Sequence, residues 1–98
     1  MNCNQTVICG EIINIGQLRY TPAGKAVIEF ALAHHSKQVE AGIQRQVICE
    51  IPAVALADTA NMISTLTIGS LVKLTGFLAK KSRISSQLAL HVTHIDII

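Results

Sequence analysis

Apolar residues recur at every second position from Ala26 to His34: Ala26, Ile28, Phe30 and Leu32 fall on one side, Val27, Glu29, Ala31 and Ala33 on the other. A period of two predicts a strand with one buried face. Four other segments carry strand-like patterns. From Gln5 to Ile15, Val7, Ile8, Ile12, Ile13 and Ile15 surround Gly10, and the phase changes across that glycine, which predicts a bulge or bend. Gln44 to Pro52 puts Val47, Cys49 and Ile51 inward and Gln44, Gln46, Ile48 and Glu50 outward, with Pro52 closing the strand or marking an edge. In LVKLTGFLA, Val72, Leu74 and Leu78 share a face and Gly76 marks another bend. The apolar phase of LALHVTHIDII shifts from Leu88, Leu90 and Val92 to Ile95 and Ile97, so a bulge is expected there too.

The connections are read from their turn chemistry. Thr21-Pro22-Ala23-Gly24 fits a reverse turn, because proline presets φ and glycine accepts positive φ, and it makes the first two strands a hairpin. SKQVEAG is polar and reads as a loop. Asp58 or Thr59 is positioned to cap a short helix through Leu66, with Ala60, Ile63 and Leu66 on one side. Five short strands, glycine bends and one long connection between strands three and four predict an all-β, five-stranded barrel, since closure removes edges that would otherwise aggregate. The order matches the OB-fold, whose binding face lies on strands two and three, between the loops joining strands one to two and four to five. Here those loops are TPAGK and AKKSRISSQ, and both carry cations.

Composition narrows the function. At 98 residues the chain is expected to form one domain spanning 1–98. Half its residues are apolar and its mean hydropathy is +0.46, more than a small monomer readily hides, so self-association as a homodimer is expected. No apolar run reaches membrane-spanning length, and MNCNQT lacks the layout of a signal peptide, so a soluble, cytoplasmic protein without a membrane partner is expected. Cys3, Cys9 and Cys49 are odd in number and read as reduced thiols. The net charge is only +2, yet Gly69 to Ile98 holds Lys73, Lys80, Lys81 and Arg83 against Asp96 alone. Positive potential therefore gathers in the C-terminal third.

Catalysis and metal binding find no support. No nucleophile elbow, phosphate-binding P-loop or carboxylate cluster occurs, so neither an enzyme nor a small-molecule substrate is expected. His91 and His94 are three apart, and His34 and His35 adjacent, which in strands sends each pair to opposite faces; no cofactor or metal site is expected.

LRYTPAGKAVIEFALA resembles the bacterial single-stranded DNA-binding proteins, and IGSLVKLTGFL is similar to their fourth strand. EAGIQRQVICEIP, IGSLVKLTGF and LHVTHIDII, in that order, are more similar to a shorter branch of that family, the primosomal replication proteins N. The resemblance spans nearly the whole chain and rests on joint order, no single motif being diagnostic. It implies a homodimer of OB-folds that binds single-stranded DNA and bridges the PriA helicase to DnaT when stalled forks are reloaded. Two departures qualify it. The sequence ends in its last strand, without the long acidic-tipped tail by which single-stranded DNA-binding proteins proper recruit partners, so recruitment in that manner is not expected. Ile43 and Ile48 stand where the resembling sequences tend to carry aromatics, and each lost base stack is worth about 1–3 kcal/mol.

The expected binding residues follow. Lys80, Lys81 and Arg83 are the primary phosphate contacts, Arg45 and Arg19 secondary ones, and Tyr20 with Lys25 forms the other rim. His35 adds partial charge or a stacking plane, and Ile48, on the outward side of strand three, completes the expected set. Each has a plainer reading: a solvated loop tip for Lys80–Arg83, a turn brace for Tyr20, and a surface ion pair with Glu40 or Glu50 for Arg45. Glu29 and Glu50 on the same outer faces dilute the field, so binding is expected to be modest and salt-dependent. Two alternatives remain open: an adaptor that mainly contacts proteins, and a short tail-less single-stranded DNA-binding protein.

Overall fold

The alternation in AVIEFALA becomes the central wall of the molecule. In the computed structural model, which describes Met1–Ile98, Ala26, Ile28, Phe30 and Leu32 are all buried. The elements in order are β1 (Thr6–Ile15), β2 (Arg19–Tyr20), β3 (Ala26–Glu40), β4 (Ile43–Leu56), α1 (Ala57–Ser64), β5 (Leu71–Lys80) and β6 (Leu88–Ile97). The five long strands close in the order β1-β5-β6-β4-β3 and back to β1. Every pairing is antiparallel except β4 with β6, which run parallel over Ala53↔Leu90 to Ala55↔Val92. This is the five-stranded OB-fold barrel expected from the order of the segments.

Inside, Ile12, Ile28, Leu32, Val72, Leu74 and Leu90 are fully enclosed. Ala60 and Ile63 of α1 join the same cluster, with Leu66 packed against it, as the helical spacing predicted. The cap differs from expectation. The helix begins at Ala57 with Leu56 in the N-cap position and no side-chain cap, while Asp58 lies in the first turn, where its charge complements the helix dipole.

Other boundaries move for physical reasons. SKQVEAG is not a loop: β3 and β4 remain paired as far as Glu40↔Ile43, and only Ala41 and Gly42 turn, both with positive φ (53° and 77°). That is the backbone of a two-residue primed turn. Residues 37–46 are exposed throughout, so this ribbon has no core to face and can be polar on both sides. Cys49 is exposed for the same reason. Pro52 does not end β4 but pairs with Ala31, just before the β6 ladder starts at Ala53, where no donor is required of it. The first two long strands pair antiparallel as expected, β1 with β3 from Glu11↔Ala33 to Ile15↔Phe30, but the tight turn itself closes between β2 and β3: Arg19 and Tyr20 pair with Val27 and Ala26, and the Gly24 amide donates to the Thr21 carbonyl at 2.8 Å.

The bulge in β1 falls between Ile12 and Asn14, past the glycine expected to mark it. Gly10 serves close approach instead, since a Cβ there would lie 2.3 Å from the Ala33 carbonyl oxygen. The bulge expected in the last strand is present: Thr75 pairs with His94 and Gly76 with Val92, leaving Thr93 as the extra residue. Leu90, Val92 and Ile95 stay buried across it, whereas Leu78, Leu88 and Ile97, read as inward, are largely exposed.

A Cβ on Gly76 would meet the His91 carbonyl oxygen at 2.0 Å and its carbon at 2.8 Å, both rigid backbone. Gly76→Ala must therefore push β5 and β6 apart. It should cost at least about 2 kcal/mol, seen as a lower urea midpoint with little change in slope. A midpoint equal to that of the parent would show that the two strands yield freely.

Candidate nucleic-acid interface

Because Ala26, Ile28, Phe30 and Leu32 point inward, the residues between them form an outer stripe with their cross-strand partners. The successive pairs are Val27↔Leu56, Glu29↔Val54, Ala31↔Pro52, Ala33↔Glu50 and His35↔Ile48. Small and apolar groups at the middle of this stripe leave a shallow floor. The β5–β6 loop rises beside it, held in a tight return by the Lys81 amide donating to the Gln87 carbonyl at 2.8 Å. Lys81 and Gln87 then border a groove of about 420 Å³ over Glu29, Ala31, Glu50 and Pro52. A second hollow of about 530 Å³ continues it past Glu29 and Lys81 to Arg19, Ser82 and His91.

The two rims meet at one carboxylate. Arg19 Nη2 donates to Glu29 Oε2 at 2.9 Å, and Lys81 Nζ lies 3.6 Å from Glu29 Oε1. Cations far apart in sequence thus face each other across the floor of β3. His35 and Ile48 sit on the same stripe, about 20 Å further along β3. Lys25 and Arg83 on the two rim loops, and Lys80 at the end of β5 opposite Leu88, are exposed, with no carboxylate within ion-pair distance. The Lys25 backbone braces the turn, its amide donating to Thr21 Oγ1 and its carbonyl accepting from the Thr21 amide.

Tyr20 and Arg45 lie apart from this assembly. Arg19 pairs with Val27 on the groove side, so Tyr20, next along β2, faces the other way and is 66% exposed. Arg45 alternates against Ile48 and Glu50 onto the opposite face of the ribbon, where its guanidinium is bound to Glu40. Of the acids weighed as its partner, Glu40 is the one it meets.

One feature of the groove wall was not anticipated from the pattern. Phe77 and His91 are cross-strand partners on β5 and β6, and their rings stack with centroids 5.2 Å apart and planes within 10°. His91 Nε2 is 3.0 Å from the Lys80 carbonyl, and Val54, Leu56 and Thr59 adjoin the pair around a hollow of about 290 Å³. Sequence spacing weighed His91 only as a metal ligand. In the structure it diverges from His94, which is bonded to Asp96, while His34 bridges the Cys9 carbonyl and Ser36 Oγ.

Residues 4–94 match the model of a family described as another single-strand binding protein family. The chain belongs to this single-strand binding family. Within it the chain is similar to the replication restart protein PriB of Nitrosomonas europaea, 50% identical over 98 residues, which are all of this chain and 91% of the relative. It is 36% identical to PriB of Bordetella pertussis over 89 residues, 91% of this chain and 83% of that one. Among solved structures, PriB from Ralstonia solanacearum superimposes with a TM-score of 0.88 at 26% identity, covering 96% of each chain. The single-stranded DNA-binding protein of Thermus aquaticus gives 0.77 at 26% identity, covering 97% of this chain and 50% of that longer one. The chain is thus of the PriB branch, a binding protein and not an enzyme.

The Arg45–Glu40 pair has side chains 57% and 68% exposed, so water screens it on all sides. A double-mutant cycle with Arg45→Ala and Glu40→Ala, read by urea denaturation, should return a coupling below about 1 kcal/mol. A larger value would make the pair a structural clasp of the ribbon tip.

Proposed function

We propose that the chain binds single-stranded DNA along the outer stripe of β3 and β4 and works as an accessory of replication restart. The observation that carries this reading is the convergence of Arg19 and Lys81, from two separate loops, over an open floor on the face that OB-folds use for ligands. Lys81, Lys80, Arg83, Arg19 and Lys25 would neutralise phosphates, while the Phe77–His91 pair, His35 and Ile48 offer surfaces for bases. Tyr20 and Arg45 would touch the strand only at its margins. The family described as single-strand binding and the restart proteins it resembles support the same assignment. A protein acting on DNA in this way would work in the cytoplasm. No helix is long and apolar enough to cross a membrane. Its role there would be to stimulate the PriA helicase and bridge it to DnaT.

A homodimer is part of the proposal. Val7, Cys9 and Leu71 lie on the outward faces of the β1–β5 ladder, with Val7 52% and Leu71 53% exposed, and such a patch is better covered by a second copy than by water. Sedimentation at micromolar concentration should give a species of twice 10.5 kDa. A monomeric mass would remove this part.

A second reading, that of a protein-contacting adaptor with weak DNA affinity, is favoured by Ile43 and Ile48, which stand exposed on the ribbon where the resembling sequences tend to carry rings, with Val39 exposed beside them. Anisotropy of a labelled oligonucleotide over a range of salt separates the two. If the strand binds as proposed, Lys81→Ala weakens it and flattens the dependence of log K on log salt by at most about 0.7. A parent protein that fails to bind at low salt leaves the adaptor.

A further inference from the structure

The groove's charges cancel where they should matter most. Glu29 and Glu50 lie on the floor, and the two cations closest to it, Arg19 and Lys81, are both engaged with Glu29. We propose that Glu29 is an internal counter-ion that competes with phosphate for both rims of the groove and thereby sets the affinity and salt dependence of strand binding. This rests on the single-stranded DNA reading above.

The geometry supports competition rather than scaffolding. Arg19 is 62% exposed and Lys81 39% exposed, so neither is held by packing and either can turn outward to a phosphate. Each has only so many donors, and those aimed at the carboxylate are withheld from an incoming strand. A phosphate arriving between them meets the carboxylate's own charge as well. Exposed ion pairs add little to stability, so the pairing acts mainly on what else the cations can hold. Glu50 carries the same charge on the same floor with no cation in ion-pair reach, which makes it an internal comparison.

The test is anisotropy of a labelled single strand with the full chain, its Glu29→Gln and Glu50→Gln variants, and Lys81→Ala combined with Glu29→Gln. Glu29→Gln should tighten binding on the order of three- to tenfold at low salt and steepen the log–log salt slope by about 0.7 for each cation released, so that the curves converge as salt rises. Glu50→Gln should leave the slope unchanged, and adding Lys81→Ala should remove about half of the steepening. Thermal unfolding monitors folding, and Glu29→Ala provides a second carboxylate-free variant should Glu29→Gln prove unstable. If the parent binds and Glu29→Gln binds no tighter with no steeper slope, Glu29 is positioning Arg19 and Lys81, and the proposal is overturned. An equal effect from Glu50→Gln overturns it too, since a general field and not the pairing would then be responsible. Failure of parent and variants alike to bind at low salt instead retires the single-stranded DNA reading and this inference with it.

Discussion

Closing this barrel requires β1 to hydrogen-bond in two directions, with β5 from Thr6 to Glu11 and with β3 from Glu11 to Ile15. A single strand can serve both neighbours only if it coils sharply between them and if the backbones come closer than side chains allow. Gly10 meets the second demand, with the Ala33 carbonyl where its Cβ would be, and the bulge between Ile12 and Asn14 meets the first. Once β1 is shared, no long strand of the barrel is left at an edge, and β3 is turned so that its odd residues face out. The position of Glu29 beneath two loops is a consequence of that closure.

The electrostatics of the face are those of scarcity. With eight lysines and arginines against six acids, the chain cannot paint a groove uniformly positive. It places free cations at Lys25 and Arg83 on the rim loops and at Lys80 where β5 ends, and compensates those nearest the floor with Glu29. An arrangement of this kind favours a ligand that contacts the rims first and reaches the floor only by displacing an existing pair. Affinity is then set by the balance between two sets of ionic contacts rather than by total charge.

Much of the fold was legible because it is written in short-range pattern. The alternation of Ile28, Phe30 and Leu32, and the phase shift from Val92 to Ile95, are direct records of which side faces the core. The β3–β4 ribbon escaped because its residues face water on both sides and so carry no apolar period, though Ala41-Gly42 is a turn signal of its own. Cys49, Leu78 and Leu88 misled for the related reason that alternation continues past the end of the core it once reported. The rim loops could be named from strand order, but not the meeting of Arg19 and Lys81 on one carboxylate, which depends on closure in three dimensions. Likewise Phe77 and His91 stack only because the bulge at Thr93 sets their register.

The seams of the barrel are unequal in length. β3 and β4 share fourteen registered pairs, whereas β4 and β6 share three, Ala53↔Leu90 to Ala55↔Val92. The middle pair of that short seam is Val54 with His91, and both residues line the groove. A molecule lying across the face would therefore span the joint at which the barrel is most easily parted. Bound there, it would act as a splint, slowing local opening and raising thermal stability through mass action on the closed form.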